Sequence, residues 1–236
     1  MSGFFITGTD TGVGKTFVTC ALIHAMQQRG IRVAPMKPIA AGTIDINGKS
    51  INEDVALLMA ATGDRYRHEL VNPYCFREAI APHIAATHDG VEIDLGTIQA
   101  AYRQLASNAD CVLVEGAGGF LVPLTDSESM ALIPAAMQLP VILVIGMRLG
   151  CLNHALLTQE AIRARGLRLA GWIANIPAPG ETMNACLENL STLTRMIDAP
   201  LIGDISYLDA ANPLQASRVA AKHLQSELLF PNQAHP

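Results

Sequence analysis

The chain has 236 residues, a net charge of −5 and a composition that is half hydrophobic, with 16% charged and only 5% aromatic residues. A sequence of this kind buries a large aliphatic core, which excludes a disordered polymer, and without a basic run or an aromatic-interleaved basic stripe it excludes a general nucleic-acid surface. Its longest apolar run, Leu139 to Met147, is far shorter than the ~20 residues that span a bilayer, and five cysteines with no Cys-x-x-Cys pair read as small core residues of a cytoplasmic protein.

The first predicted element is an apolar strand, Phe4 to Thr7, followed by Gly8-Thr9-Asp10-Thr11-Gly12-Val13-Gly14-Lys15-Thr16. Glycines at 8, 12 and 14 let the backbone turn tightly with successive N–H groups pointing inward, and a helix starting at Thr16 aims its positive dipole end at the same spot. This is a cradle for nucleotide phosphates, with Lys15 reaching the outer phosphates and the Thr16 hydroxyl ligating Mg²⁺, although five residues rather than the usual four precede Gly14-Lys15. Along the helix Phe17, Val18, Ala21, Leu22, Ala25 and Met26 recur on one face, and Arg29-Gly30 ends it.

A second strand, Arg32 to Met36, leads into Lys37-Pro38, where proline blocks further ladder pairing and the lysine is expected to project toward the phosphate loop. The competing reading of Lys37 is a solvated strand-end lysine. After a loop from Gly42 to Asn52, a helix is predicted over Asp54 to Ala61, and Asp54 by itself reads as an acid at a helix N-terminus. The third strand, Cys111 to Glu115, ends in a carboxylate of the Walker B kind, or else one facing solvent. The Gly116-Ala117-Gly118-Gly119 segment beyond it leaves room for a phosphate or substrate against the backbone.

Strands four to six are predicted at Val141 to Gly146, Leu169 to Ala174 and Leu201 to Ile205, with Leu149-Gly150-Cys151-Leu152-Asn153 after the fourth and Asn175-Ile176-Pro177 after the fifth. Continuous apolar runs alternating with helical patterns specify α/β architecture. The expectation is a single domain over residues 1–236 of the P-loop NTPase-like class, with a mostly parallel central sheet and helices on both faces. Ligands then gather at the carboxyl edge of the strands. His83 and His154, near candidate loops, read as structural, and no Ser or Cys nucleophile motif is present.

Taken together, these loops resemble the dethiobiotin synthetase family. The likeness is carried by residues 8–16, Lys37-Pro38-Ile39, Val71-Asn72-Pro73-Tyr74, Pro82-His83, Val114 to Gly119, Gly150 to His154 and Gly171-Trp172-Ile173-Ala174-Asn175. The resemblance implies ring closure of 7,8-diaminononanoate with CO₂ and ATP to give dethiobiotin, ADP and phosphate, by way of a carbamate and its mixed anhydride with phosphate. It implies catalytic roles for Lys37, Lys15 and Thr11, and Mg²⁺ on Thr16, Asp54 and Glu115. Nucleotide would contact Gly12 to Phe17, Asp54, Glu115, Gly116, Ala117, Gly118, Asn175, Ile176 and the Ser206-Tyr207-Leu208 loop. It further implies a homodimer whose diamine pocket uses Ala41 together with Leu149, Gly150, Cys151 and Asn153 supplied in trans, with no nucleic acid or membrane partner. Ala41 stands where the family commonly has a hydroxyl residue. A partition or septum-positioning ATPase of the same superfamily is the rival reading, but such proteins carry a signature lysine where this chain has Asp10. Only Arg218 and Lys222 are cationic in its tail, Pro213 to Pro236.

Overall fold

A computed structural model describes residues 2–46, 49–180, 183–209 and 212–230. The chain opens with β1 (Ser2–Gly8), passes through the phosphate loop into α1 (Lys15–Gln28) and returns along β2 (Val33–Met36). Short elements follow: β3 (Ile39–Ala41), β4 (Ile44–Ile46), β5 (Lys49–Ile51), α2 (Glu53–Ala61), α3 (His68–Val71), β6 (Tyr74–Phe76) and α4 (Pro82–Asp89). Regular alternation then resumes with α5 (Leu95–Ala106), β7 (Cys111–Gly119), α6 (Leu132–Met137), β8 (Val141–Gly146), α7 (Cys151–Ala164), β9 (Leu169–Asn175), α8 (Cys186–Met196), β10 (Leu201–Ile205) and α9 (Pro213–Ala220).

The six apolar runs read from the sequence become one parallel sheet in the order β10-β9-β8-β1-β7-β2. Burial on both faces explains why the runs are unbroken. In β8 Val141, Ile142, Leu143, Val144 and Ile145 are all fully buried, each contributing about 1.5–3 kcal/mol of apolar transfer. Two aliphatic cores result. One packs α1, α2 and the α9 region against one face, through residues such as Leu22, Met26, Ile142 and Ala220. The other fills the space under α5 and α7, through Leu105, Leu143, Ala155 and Trp172.

Three expectations need correction. Helix α1 is not apolar on one face only: Cys20, Ile23 and His24 are buried as well, because α1 is clasped between the sheet, α2 and α9, whereas Phe17 is only half-buried. Pro38 does end pairing with β7, but the chain stays extended and changes partner, β3 pairing in parallel with β6. The presumed loop from Gly42 to Asn52 contains the antiparallel β4–β5 pair, with residues 47 and 48 outside those described. In the tail, residues 213–230 hold α9 and two 3₁₀ turns, and 231–236 lie outside the described residues. Among the described residues no helix is long and apolar enough to cross a membrane.

Candidate active site

β1 is flanked by β7 on one side and β8 on the other, so the loop leaving it sits where the sheet's connections diverge to opposite sides. Gly12 and Gly14 adopt left-handed φ angles of 74° and 86°, and Gly14 caps the N-terminus of α1. The loop is pinned by Val13, whose side chain would lie 2.6 Å and 2.9 Å from a Cβ placed on Gly8 or Gly146, so both positions must be glycine for it to seat. Asp10 organises the other end. Its carbonyl accepts from Lys15 Nζ (3.0 Å), while its carboxylate accepts from Thr11 N (2.7 Å) and from Arg148 Nη2 (2.5 Å).

Lys37 is not a solvated lysine, nor does Glu115 face solvent: both are buried, Glu115 completely. Lys37 Nζ donates to Glu115 Oε1 (2.6 Å) and to Asp54 Oδ2 (2.8 Å), and Thr16 Oγ1 donates to the same Glu115 Oε1 (2.7 Å). Burial opposes the charge on Lys37, yet the charges and hydrogen bonds of Glu115 and Asp54 outweigh it and raise the lysine above its usual range. For Asp54 burial likewise works against ionisation. Lys37, Thr16 and Lys15 win, and its carboxyl is held below the usual value. Lys15 has weaker compensation: burial, helped by the Lys37 charge, brings it down to about 8. Glu115 Oε2 is buried with no hydrogen-bond partner.

These groups open onto a cleft of about 770 Å³ at the carboxyl edge of the sheet, lined by Thr11, Gly12, Gly14 to Phe17, Lys37, Ala41, Asp54, Ala117 and Gly118 and covered by residues 79–82. That is the size of a small-molecule site. Residues singled out from separate parts of the chain therefore meet in one place, Lys15, Thr16, Lys37, Ala41, Asp54 and Glu115 among them.

A family model described as an AAA domain matches residues 2–215. The ATP-dependent dethiobiotin synthetase of Aromatoleum aromaticum is 52% identical over 214 residues, 91% of this chain and 94% of that protein. The corresponding protein of Nitrosospira multiformis is 52% identical over 205 residues, 87% and 88% of the two chains. The chain belongs to the ATP-dependent dethiobiotin synthetase family. Membership makes it an ATP-dependent ligase. Among solved structures it is similar to a chain of the MinC:MinD cell division protein complex of Aquifex aeolicus (TM-score 0.55, 15% identity, 100% of this chain and 98% of that one). It is also similar to a ParA family ATPase of Chlorobium tepidum (TM-score 0.51, 13% identity, 98% and 94%). At those identities the likeness is one of P-loop NTPase fold. Asp10, where the partition-type reading needs a lysine, is tied up with Arg148 and Lys15.

Other residues named from the sequence fall into four groups. Asn175 lies beside the phosphate loop, buried, with Nδ2 donating to Val13 O (2.9 Å), and Ile176 N donates to Ile205 O (3.0 Å), which brings Ser206, Tyr207 and Leu208 alongside. Glu115 does not end its strand: β7 runs on to Gly119. Gly116 is filled against, a Cβ there lying 2.8 Å from the Phe5 ring, whereas Gly118 (φ 66°) borders the cleft. Leu149, Gly150, Cys151 and Asn153 form the start of α7 and do not line this cleft. Leu149 is 93% exposed, Asn153 is exposed, and Cys151 is buried. All five cysteines are free. Cys20, Cys111 and Cys151 are buried as expected, Cys75 and Cys186 half so, and burial pushes the Cys111 thiol up to about 12.

Sequence reasoning missed two residues that position the site. Arg148 lies two residues beyond the end of β8, and inspecting strand ends from their first residue would have found it. Asn72 donates to Lys37 O (2.7 Å) and to Tyr74 O (2.9 Å), and Lys37 N donates to Val71 O (2.8 Å), so the α3–β6 junction fixes the lysine's backbone. No local pattern marks Asn72 for that task. Among the described residues no cluster of three or more His, Cys, Asp or Glu stands ready for a metal.

Proposed function

We propose that this enzyme closes the ureido ring of dethiobiotin from 7,8-diaminononanoate, CO₂ and ATP. One amine adds to CO₂ and loses a proton to give a carbamate, and a carbamate oxygen takes the γ-phosphoryl group as ADP leaves. The second amine then attacks the carbonyl carbon, releasing phosphate and a proton. What carries the reading is the meeting of Lys15, Lys37, Thr16, Asp54 and Glu115 at one cleft, in a chain half identical to dethiobiotin synthetases along nearly its whole length.

The chain's own part is binding and electrostatics. Loop N–H groups from Gly12 to Thr16 and the N-terminus of α1 hold the phosphates. The ammonium groups of Lys15 and Lys37, with Thr11 beside them, face the charge that spreads over the transferring phosphoryl oxygens, an effect worth on the order of 10²–10³ in rate for each fixed group. Holding carbamate and phosphate together in one cleft supplies proximity without a covalent enzyme intermediate. Adenine would lie near Asn175, Ile176 and residues 206–208.

Thr16, Asp54 and Glu115 would hold Mg²⁺. Their oxygen donors suit a hard cation, and the unpartnered Glu115 Oε2 supports the fit. When bound, the metal neutralises phosphate oxygens. The protein acts as a homodimer in which Leu149, Gly150, Cys151 and Asn153 of one subunit finish the diamine pocket of the other. The near-complete exposure of Leu149, and the absence of this segment from the lining of its own subunit's cleft, support that arrangement.

ADP release is the test. Release that requires both the diamine and bicarbonate is expected, and release that is indifferent to the diamine, or driven by DNA or lipid, overturns the reading. Mixing Asn153→Ala with Lys15→Ala subunits should restore part of the activity through one intact shared site. Mixed dimers that form and stay inactive would remove the in-trans role.

A further inference from the structure

The side chains expected to receive the metal are already holding a cation. Lys37 Nζ lies 2.6 Å from Glu115 Oε1 and 2.8 Å from Asp54 Oδ2, and Thr16 closes the same group from the α1 side. An ammonium and a divalent ion cannot share that space, and at such short range their charges repel. The two carboxylates are balanced by Lys37 and by Lys15, which faces the same cleft. A divalent ion arriving alone would therefore add two positive charges to a group that is already neutral.

Lys37 is built to be movable at its tip and nowhere else. Its N–H and C=O are fixed by Val71 and Asn72, while a flexible four-carbon stem carries the ammonium at the border of the open cleft. A nucleotide's outer phosphates in that cleft offer the ammonium a second set of anionic partners. We propose that Lys37 is the resident counter-ion of the Asp54–Glu115 pair, and that a divalent metal can take the Thr16–Asp54–Glu115 position only by displacing it. The metal is then admitted with the nucleotide and not before it. This goes beyond phosphate binding by Lys37 and rests on the reading of the cleft as an Mg²⁺–ATP site.

Mn²⁺ alone, followed by electron paramagnetic resonance with no nucleotide, diamine or bicarbonate, tests the displacement. Removing the ammonium in Lys37→Met should tighten Mn²⁺ binding at least tenfold over the parent, because the acid pair is left without its cation, and Lys37→Arg should stay as weak as the parent. The same variant should melt below the parent without metal and regain most of the difference in Mn²⁺, a recovery the parent does not share. Should Lys37→Met fail to fold, Lys37→Gln, whose amide can still donate to Glu115, carries the same tenfold expectation. Unchanged or weaker Mn²⁺ binding in the neutral variant overturns the proposal, as does tight binding by the parent. Failure of the ring-closure reading would appear elsewhere, as ADP release that ignores the diamine.

Discussion

Two cation–carboxylate groups stand at opposite edges of the same sheet, one built on exposed side chains and one on a buried lysine and glutamate. At the amino edge Arg32 grips Asp110 through Nε (3.1 Å) and Nη2 (2.7 Å) while its backbone N–H donates to the same carboxylate (2.9 Å), tying the start of β2 to the start of β7. Both side chains are largely in water and every obvious bond is made. At the carboxyl edge Lys37 and Glu115 are drawn into the protein, Asp54 keeps one side toward the cleft, and one Glu115 oxygen is left without a partner. A satisfied, solvated pair can only fasten strands. A buried and incompletely satisfied one has unspent bonding capacity, and that capacity faces the cleft.

The sharpest way to break this contrast is to remove the buried cation. Lys37→Gln should still bind nucleotide but turn over at least about tenfold more slowly, with a loss on the order of 10²–10³ within the range for such a group. An unchanged kcat would take Lys37 out of the chemistry. The same change should destabilise the fold by about 3 kcal/mol or more in denaturant titration, since it leaves a buried carboxylate without its counter-charge.

Next in size is the loop itself. Gly14→Ala places a side chain at φ 86° with its Cβ 2.3 Å from Asn175 Nδ2, so about 1–3 kcal/mol of backbone strain is expected together with loss of the Asn175 bond to Val13. Calorimetric titration with ATP should report weakened binding. Asn175→Ala alone strips the buried Val13 carbonyl of its donor and should cost about 1–2 kcal/mol. The two changes share a contact, so the double variant should fall short of their sum. Strict additivity would show that Asn175 does not hold the loop.

The smallest effect is expected at the exposed pair, and only in acid. Hydrogen bonds from the Arg32 guanidinium and backbone hold the Asp110 carboxyl at about 2. Its folded pKa is thus depressed, so whatever stability it lends is present above the ordinary carboxylate range and fades as pH falls from about 4 to 2. Asp110→Asn should flatten stability against pH in that window and leave turnover at neutral pH unchanged. A clear loss of turnover would mean that the two edges are not independent.

The elements legible in the sequence were those whose environment imposes a pattern. Strands buried on both faces must be continuous apolar runs, and Val141 to Gly146 is legible to its last residue. Lys37, Glu115 and the phosphate loop followed, because parallel topology sends every strand end to one rim. The α2 start was read one residue late, as Asn52 is the cap and Glu53 the first helical residue. What escaped was too short to have a period. Strands β3 to β6 have three residues each, and β3, after Pro38, is recognisable only through its partner β6, far along the chain. The Lys37–Asp54 pair was equally hidden: no spacing rule says that an acid near a helix start will reach a lysine at a strand end.

The strand order has a consequence for how the protein comes into being. β7 sits between β1 and β2, yet it begins only at Cys111, long after both neighbours have been made. A ribosome therefore releases two oily strands that cannot touch each other in the native arrangement, and they wait with raw backbone edges until the missing slat arrives between them. Synthesis halted short of Gly119 would leave an aggregation-prone fragment rather than half an enzyme, and the chain's need for chaperone shelter should fall once that residue has emerged.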